Sequence, residues 1–318
     1  MNAEMMDLFA MGSVLAAAQD AGLVHELPSG PLTAQAYAEK LGLDPRATRL
    51  VLEVLVTLDV ASRNGDFYDA SPKLRDLLAP GGVQTPAPIQ KLWSHVPQFL
   101  RTGEPLIRMD ASPTQREESY RGTVSMLARM FEGIARALAS KIEKAPARVL
   151  DVGCGSGVWS LALAERFPQT HVTGLDFPAV LESFTSRAKE LGLADRTSTI
   201  PGNMHDAPLP SGAFDMVVIA NVLRLETPDR AAALLARLAP AVAPGGALLV
   251  VDALAGGTPE RERSRALYAL NLSLRTQQGR VHSPEEITGW LETAGLHGVE
   301  AIDLPVTTGA VGALLGRR

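Results

Sequence analysis

Cysteine is almost missing from this chain of 318 residues. Cys154 stands alone, so no internal disulfide can form. No Cys/His cluster or HExxH-type spacing offers a metal site either. No apolar run approaches the roughly 20 residues of a membrane-spanning helix. The start, Met1-Asn2-Ala3-Glu4, lacks a basic n-region ahead of an apolar stretch, so no signal peptide is visible and a cytoplasmic protein is expected. An excess of positive charge is missing as well. The formal charge is −5 and the pI near 5.7, which argues against nucleic acid or an anionic membrane as partner. Low-complexity tracts are absent. Apolar residues make up 46% of the chain, enough for a sizeable core in about two domains.

What is present is glycine in one telling place. Val149-Leu150-Asp151-Val152-Gly153-Cys154-Gly155-Ser156-Gly157 reads as a buried strand breaking into a glycine turn, with a helix over 158–167 behind it. A dinucleotide loop wants its third glycine at 158, where Val158 stands. From 147 onward, strands are expected at 148–152, 171–176, 197–201, 214–220, 247–252 and 299–303, with a last apolar run at 311–315. Their alternation with helical patterns predicts an α/β fold with a doubly wound, mostly parallel sheet. Ligands of such sheets sit beyond the carboxyl ends of the strands, where the strand order reverses.

Ahead of this lies a mainly helical segment, 1–84. An amphipathic helix is expected over 5–23, its stripe formed by Leu8, Met11, Leu15, Ala18 and Leu23. A second is expected over 32–41 with Thr33 as N-cap, and a third over 45–58 with Asp44 as cap and Pro45 at its first position. Two short β-like runs then flank Asn64-Gly65, a hairpin signal. Three helices and a hairpin make a winged helix. Six basic residues against eleven acidic ones across 1–79 give that segment the wrong sign for tracking phosphates, so dimerisation through the apolar first helix is the better reading. Pro80-Gly81-Gly82 and Pro86-Ala87-Pro88 read as a linker. Helices over 89–102 and 118–143 follow, within a linking segment 85–146 ahead of the sheet domain 147–318.

The glycine spacing resembles the first motif of S-adenosylmethionine-dependent methyltransferases with a Rossmann-like domain. The whole chain resembles the bacterial and plant small-molecule O-methyltransferases, the group of caffeate, hydroxyindole and antibiotic-tailoring enzymes. The resemblance rests on the glycine turn, Asp176, Gly202-Asn203, the segment Ala220–Glu226 and Pro244-Gly245-Gly246. It implies S-adenosyl-L-methionine as cofactor, a small-molecule acceptor, and a homodimer through the N-terminal helices. Gly153, Gly155 and Gly157 would let the backbone approach the cofactor's methionine tail and ribose. Asp151 would orient its ammonium. Asp176, at a strand end before Phe177-Pro178, would accept from the ribose diol, the alternative being a helix N-cap. Where the family has an acid that meets the adenine amine, this chain has Asn203, whose amide oxygen also accepts. Met204 would cover the adenine face, and Phe177 and Asn221 complete the cofactor set.

The acceptor site departs from the family. The usual Asn-Val-Leu-His reads Asn221-Val222-Leu223-Arg224 here, and arginine holds its proton above pH 12, so it cannot be the general base. A second family acid is replaced by Val281, leaving Asp252 alone of three expected catalytic groups. Methyl transfer needs proximity and an available lone pair, so a carboxylate, an acidified phenol or an enolate can do without a base. Arg224 then either stabilises the acceptor as an anion or pairs with Asp252 as scaffolding. His95, His205 and His282 remain as candidate bases, with His95 favoured by its position and a surface or helix-end role the alternative for each. Trp93, Tyr120, Met126, Met130 and Asn271 are candidate pocket walls. The function expected is O- or C-methylation of a small molecule in secondary metabolism. The alternatives are a member turned to decarboxylation, hydroxylation or cyclisation, and a DNA-binding regulator.

Overall fold

A computed structural model describes residues 3–78, 91–121, 123–254, 259–304 and 311–318. The expected linker signals at 80–82 and 86–88 lie outside the described residues. The chain separates into two compact units, 1–94 and 95–318.

In the first unit, helix Ala3–Asp20 leads to a short turn of helix, strand β1 (Leu32–Thr33), helices Ala34–Leu41 and Pro45–Thr57, then strands β2 (Ala61–Asn64) and β3 (Phe67–Ala70). The strands form an antiparallel sheet in the order β1-β3-β2, the winged-helix arrangement. Local chemistry starts both middle helices. The Thr33 hydroxyl accepts from the Ala36 N–H and the Asp44 carboxylate from the Ala47 N–H, with Pro45 at the first position. Two expectations need correction. Leu32 and Thr33 are strand rather than helix, because they pair with Tyr68 and Phe67. The hairpin loop is Gly65-Asp66 rather than Asn64-Gly65. Asn64 pairs with Phe67, and only Gly65 takes positive φ, as a II′ turn demands at its first central residue. Leu23, Leu27, Tyr37, Leu52 and Leu55 fill the core, with the Tyr37 hydroxyl 3.1 and 3.2 Å from the carbonyl oxygens of Gly30 and Tyr68. Leu8, Met11 and Leu15 of the first helix are exposed instead of packed, together with Met5, Met6 and Phe9.

The second unit is built on seven strands: β4 (Arg148–Val152), β5 (His171–Asp176), β6 (Thr197–Pro201), β7 (Phe214–Ala220), β8 (Val242–Ala253), β9 (His297–Ile302) and β10 (Val311–Arg317). Their order is β6-β5-β4-β7-β8-β10-β9. The first five are parallel, and β10 runs antiparallel between β8 and β9. Strand β8 begins earlier than expected. Pro244-Gly245-Gly246 is a bulge inside it, with Phe214 opposite Val242 and Met216 already opposite Ala247. Apolar side chains alternate to the two sheet faces. Val149, Val218 and Leu249 pack under helices Val124–Lys141 and Val158–Arg166, while Leu150, Val217 and Leu248 pack under helices Pro228–Leu238 and Pro284–Thr293. The helix expected over 118–143 is two helices, Pro113–Arg121 and Val124–Lys141, and Thr123 turns back between them to bond Tyr120 and Ser119. From β4 the chain winds outward through β5 to β6, then crosses to β7 on the other side. The reversal therefore falls between β4 and β7.

Candidate functional site

A pocket opens above that reversal, over the carboxyl ends of β4, β5 and β7. It has about 840 Å³ of space free of protein atoms, part of it open to solvent. The glycine turn forms its floor. The N–H groups of Gly153 and Cys154 both donate to the Leu175 carbonyl, and the Gly155 N–H donates to Asp176 Oδ2 at 2.8 Å. Two backbone bonds and one to a side-chain carboxylate thus stitch the end of β4 to the end of β5. Gly153 needs its missing side chain twice over: its φ is +67°, and a Cβ there would lie 2.8 Å from Val222 Cγ2. Gly157 has another role than the one expected. It does not line the pocket, and a Cβ would lie 2.6 Å from the ring of Phe184. Its bareness lets helix Pro178–Glu190 pack against the loop.

Asp176 lines the pocket and Phe177 stands beside it. The carboxylate accepts from the N–H groups of Gly155 and Phe177, which leaves one lone pair on each oxygen for a ligand. Burial pushes its pKa up to about 6 despite those two bonds. Asp151 sits deeper and outside the lining, its Oδ2 2.5 Å from the Ser160 hydroxyl. Burial raises it to about 7, with Ser160 opposing and Asp176 adding to the rise. Met204 and Gly202 line the wall, but the side chain of Asn203 between them accepts from the His205 N–H and is not part of the lining. The apolar roof comes from Val124, Leu127 and Phe131 of helix Val124–Lys141. Tyr120 lines the pocket from helix Pro113–Arg121, and Glu117 of that helix accepts the Ala179 N–H at the start of helix Pro178–Glu190.

The other side is charged. Asn221 follows β7 with φ +60°, a left-handed conformation that asparagine tolerates, and its N–H donates to the Val251 carbonyl. Its Oδ1 takes a hydrogen bond from Arg224 Nη1 at 2.5 Å, so the side chain positions that arginine. Arg224 is 5% exposed and lines the pocket. Its Nη1 also donates to Asp252 Oδ1 at 3.3 Å and its N–H to Oδ2 at 3.2 Å. Asp252 accepts a further bond from the Ala253 N–H. Both scaffold and lining readings of Arg224 therefore describe the same side chain. From behind, its carbonyl accepts the Arg280 N–H, and His282 Nε2 lies 2.9 Å from the Leu223 carbonyl.

Several expected residues lie elsewhere. His95 stands at the start of helix Val96–Thr102 with Nε2 2.9 Å from the Glu104 carbonyl, outside the lining. Trp93 falls in the first unit. Met130 is 47% exposed, and Met126 and Asn271 are half-buried without lining the pocket. Met126 and Met130 share a helix with Leu127 and Phe131 but are turned off the roof those two form. Sequence reasoning missed Arg116, which lines the pocket and donates to buried Glu226 at 2.6 Å. Burial pushes Glu226 up, but hydrogen bonds from His205, Arg230 and Arg116 prevail and hold its pKa at about 2. Nothing local in the sequence pairs positions 110 residues apart. Tyr268 and Arg275 were missed too, and only the fold brings Arg224 and Arg275 to the same Tyr268 ring.

The model of the O-methyltransferase domain family matches residues 115–297. The tetracenomycin polyketide synthesis 8-O-methyl transferase of Streptomyces glaucescens is 28% identical over 88% of this chain and 86% of its own length. The mitomycin biosynthesis 6-O-methyltransferase of Streptomyces lavendulae is 30% identical over 88% and 83%. Among solved structures, human N-acetylserotonin methyltransferase in complex with S-adenosylmethionine superposes with a TM-score of 0.74 at 21% identity, covering 100% of this chain and 99% of that one.

Proposed function

The chain belongs to the O-methyltransferase family and is an S-adenosylmethionine-dependent methyltransferase, and from that premise we propose that its acceptor is a small aromatic or polyketide-like metabolite. The observation that carries the reading is the pocket at the strand-order reversal, with a glycine floor, the carboxylate of Asp176 and an apolar roof in one cavity.

The residues fit the donor. The bare Cα of Gly153 admits a close approach that a Cβ would block, and Asp176 retains lone pairs suited to a ribose diol. Gly155, Phe177 and Met204 complete this side, while Asp151 lies beneath, outside the lining and bonded to Ser160. When bound, the donor supplies an electrophilic methyl group. The protein's task is then to align an oxygen lone pair with that carbon, beside the apolar walls of Val124, Leu127, Phe131 and Trp159.

The same reading makes the protein a homodimer. Met5, Met6, Leu8, Phe9, Met11 and Leu15 expose an apolar face along one helix, more than a monomer ordinarily leaves to water. A cytoplasmic location accords with the single free thiol, Cys154.

Incubating the full chain with methyl-labelled S-adenosylmethionine and a panel of phenolic and naphtholic acceptors tests the reading. Label transfer with equimolar S-adenosylhomocysteine is expected. Acceptor turnover without S-adenosylhomocysteine would replace methylation by decarboxylation, hydroxylation or cyclisation.

A further inference from the structure

We propose that the acceptor enters this pocket already deprotonated, as an aromatic carboxylate or acidic phenolate, and that Arg224 holds its oxyanion. The inference rests on the methyltransferase reading and names the substrate class of that same site.

The lining residues decide whether a neutral hydroxyl could be used. Those with an ionisable side chain are Arg116, Arg224, Tyr120, Cys154 and Asp176. The two arginines keep their protons. Burial raises the pKa of Tyr120 and raises Cys154 well above the ordinary thiol value, so neither is poised to accept a proton at neutral pH. Asp176 is engaged by two backbone N–H groups on the cofactor side. The two carboxylates behind the charged wall are committed as well. Asp252 accepts three hydrogen bonds, and Glu226 is held by Arg116, Arg230 and His205. Among the described residues, this wall therefore offers cations and no base.

Its positive character is more than one residue deep. Arg224 stands over one face of the Tyr268 ring, its guanidinium carbon 5.1 Å from the centroid, and Arg275 lies 5.9 Å from the same centroid. Arg275 Nη2 donates to the Tyr268 hydroxyl at 3.1 Å. Two guanidiniums thus flank one phenol ring, and Asp252 balances only one of them. Among the described residues no carboxylate lies within 4.0 Å of Arg275. The Nε–H groups of both Arg224 and Arg275 are buried with no hydrogen-bond partner among the described residues. Of the guanidinium nitrogens of Arg224, which lines the pocket, only Nη1 makes a hydrogen bond among the described residues, so the group keeps donor capacity for an acceptor's oxygen. Tyr120, in the same lining, feels the charges of Arg224, Arg275 and Arg116 together.

An oxyanion on Arg224 balances the step without a base. The acceptor oxygen attacks the methyl carbon, the O–C bond forms as the S–C bond breaks, and the bonding pair remains on sulfur. The acceptor's negative charge and the sulfonium's positive charge are both lost, and no proton moves.

The test is calorimetry on the full chain, in stages. S-adenosylhomocysteine is titrated first, and absence of heat there would sink the methyltransferase reading itself. The loaded protein then receives hydroxynaphthoate or the matching neutral naphthol. A preference of at least about tenfold for the carboxylate is expected, shrinking as salt is added. Arg224→Met should abolish that preference, Arg224→Lys should keep most of it, and S-adenosylhomocysteine binding should survive in both. Should Arg224→Met fail to fold with Asp252 left unpaired, Arg275→Gln leaves the Arg224–Asp252 pair intact and should still cut the preference several-fold. Equal affinity for the two probes, tighter binding of naphthol, binding of neither, or a preference untouched by these substitutions would overturn the proposal.

Discussion

Asp176 sets the pH dependence expected of cofactor binding. Burial lifts its pKa from 3.8 to about 6, so the folded protein binds a proton that the unfolded chain has released between those values. The sign follows: this group's effect on stability is most favourable below pH 4 and is lost as pH rises through 6. Ligand binding runs the other way, since hydroxyl donors favour the ionised carboxylate. Affinity for S-adenosylhomocysteine should be flat above about pH 8, where Asp176 and Asp151 are both ionised, and fall as pH drops through 7 and 6. Asp151, raised to about 7, acts in the same direction toward a cationic ammonium. Asp176→Asn should flatten most of this profile and weaken binding about tenfold at pH 8, the loss of roughly one charge-assisted hydrogen bond. Calorimetry across that range checks it, and a wild-type affinity unchanged down to pH 5 would contradict the assignment. At this scale the sequence displayed Asp176 and Arg224 but not what they touch. The bonds of Asn221 to Arg224 and of Asn203 to the His205 N–H depend on side-chain direction, which spacing does not encode.

The joint between the glycine turn and its neighbouring helix is where one element constrains another. Gly157 combines φ +72° with a Cβ position 2.6 Å from the Phe184 ring, and that ring also lies against Gly174. Gly157→Ala therefore faces backbone strain and overpacking at once, for an expected loss of about 2–4 kcal/mol. Urea unfolding should show a lower midpoint at unchanged slope. The double variant Gly157→Ala/Phe184→Leu should recover part of the loss and no more, because the backbone strain persists. Full recovery would mean that crowding alone was at stake. The central parallel strands β4, β7 and β8 were legible because burial on both faces makes each a short apolar run, whereas the edge strand β6 is polar and partly exposed. The position of β10 was not. A strand inserted antiparallel between its predecessors in sequence is fixed by pairing across the sheet, which no local pattern records.

For the molecule as a whole, the exposed face of helix Ala3–Asp20 sets the expected assembly. Phe9 and Leu8 are 65% and 64% exposed, so a charge at either position costs little within one chain but disrupts an interface that buries them. Phe9→Asp should shift the sedimentation profile from dimer to monomer while the far-ultraviolet spectrum stays that of the folded chain. A wild-type monomer at all concentrations would remove the homodimer. The apolar character of this helix was visible in the sequence, but the one-sided stripe expected of it is not there. Whether its side chains met the chain's own core or another surface was not legible, since composition never shows what covers a helix.

Composition, strand runs and the glycine spacing by themselves determined a winged-helix segment followed by an α/β domain with its glycine turn at the strand-order reversal. Local rules suffice there, because turns, caps and buried strands are set by residues a few positions apart. Only the tertiary structure decided that Gly157 serves packing, that Met130 and His95 lie off the pocket, and that Arg224 shares a ring with Arg275 while bonded to Asp252. Each of those outcomes rests on contacts between distant segments, where direction and distance, rather than residue type, determine the chemistry.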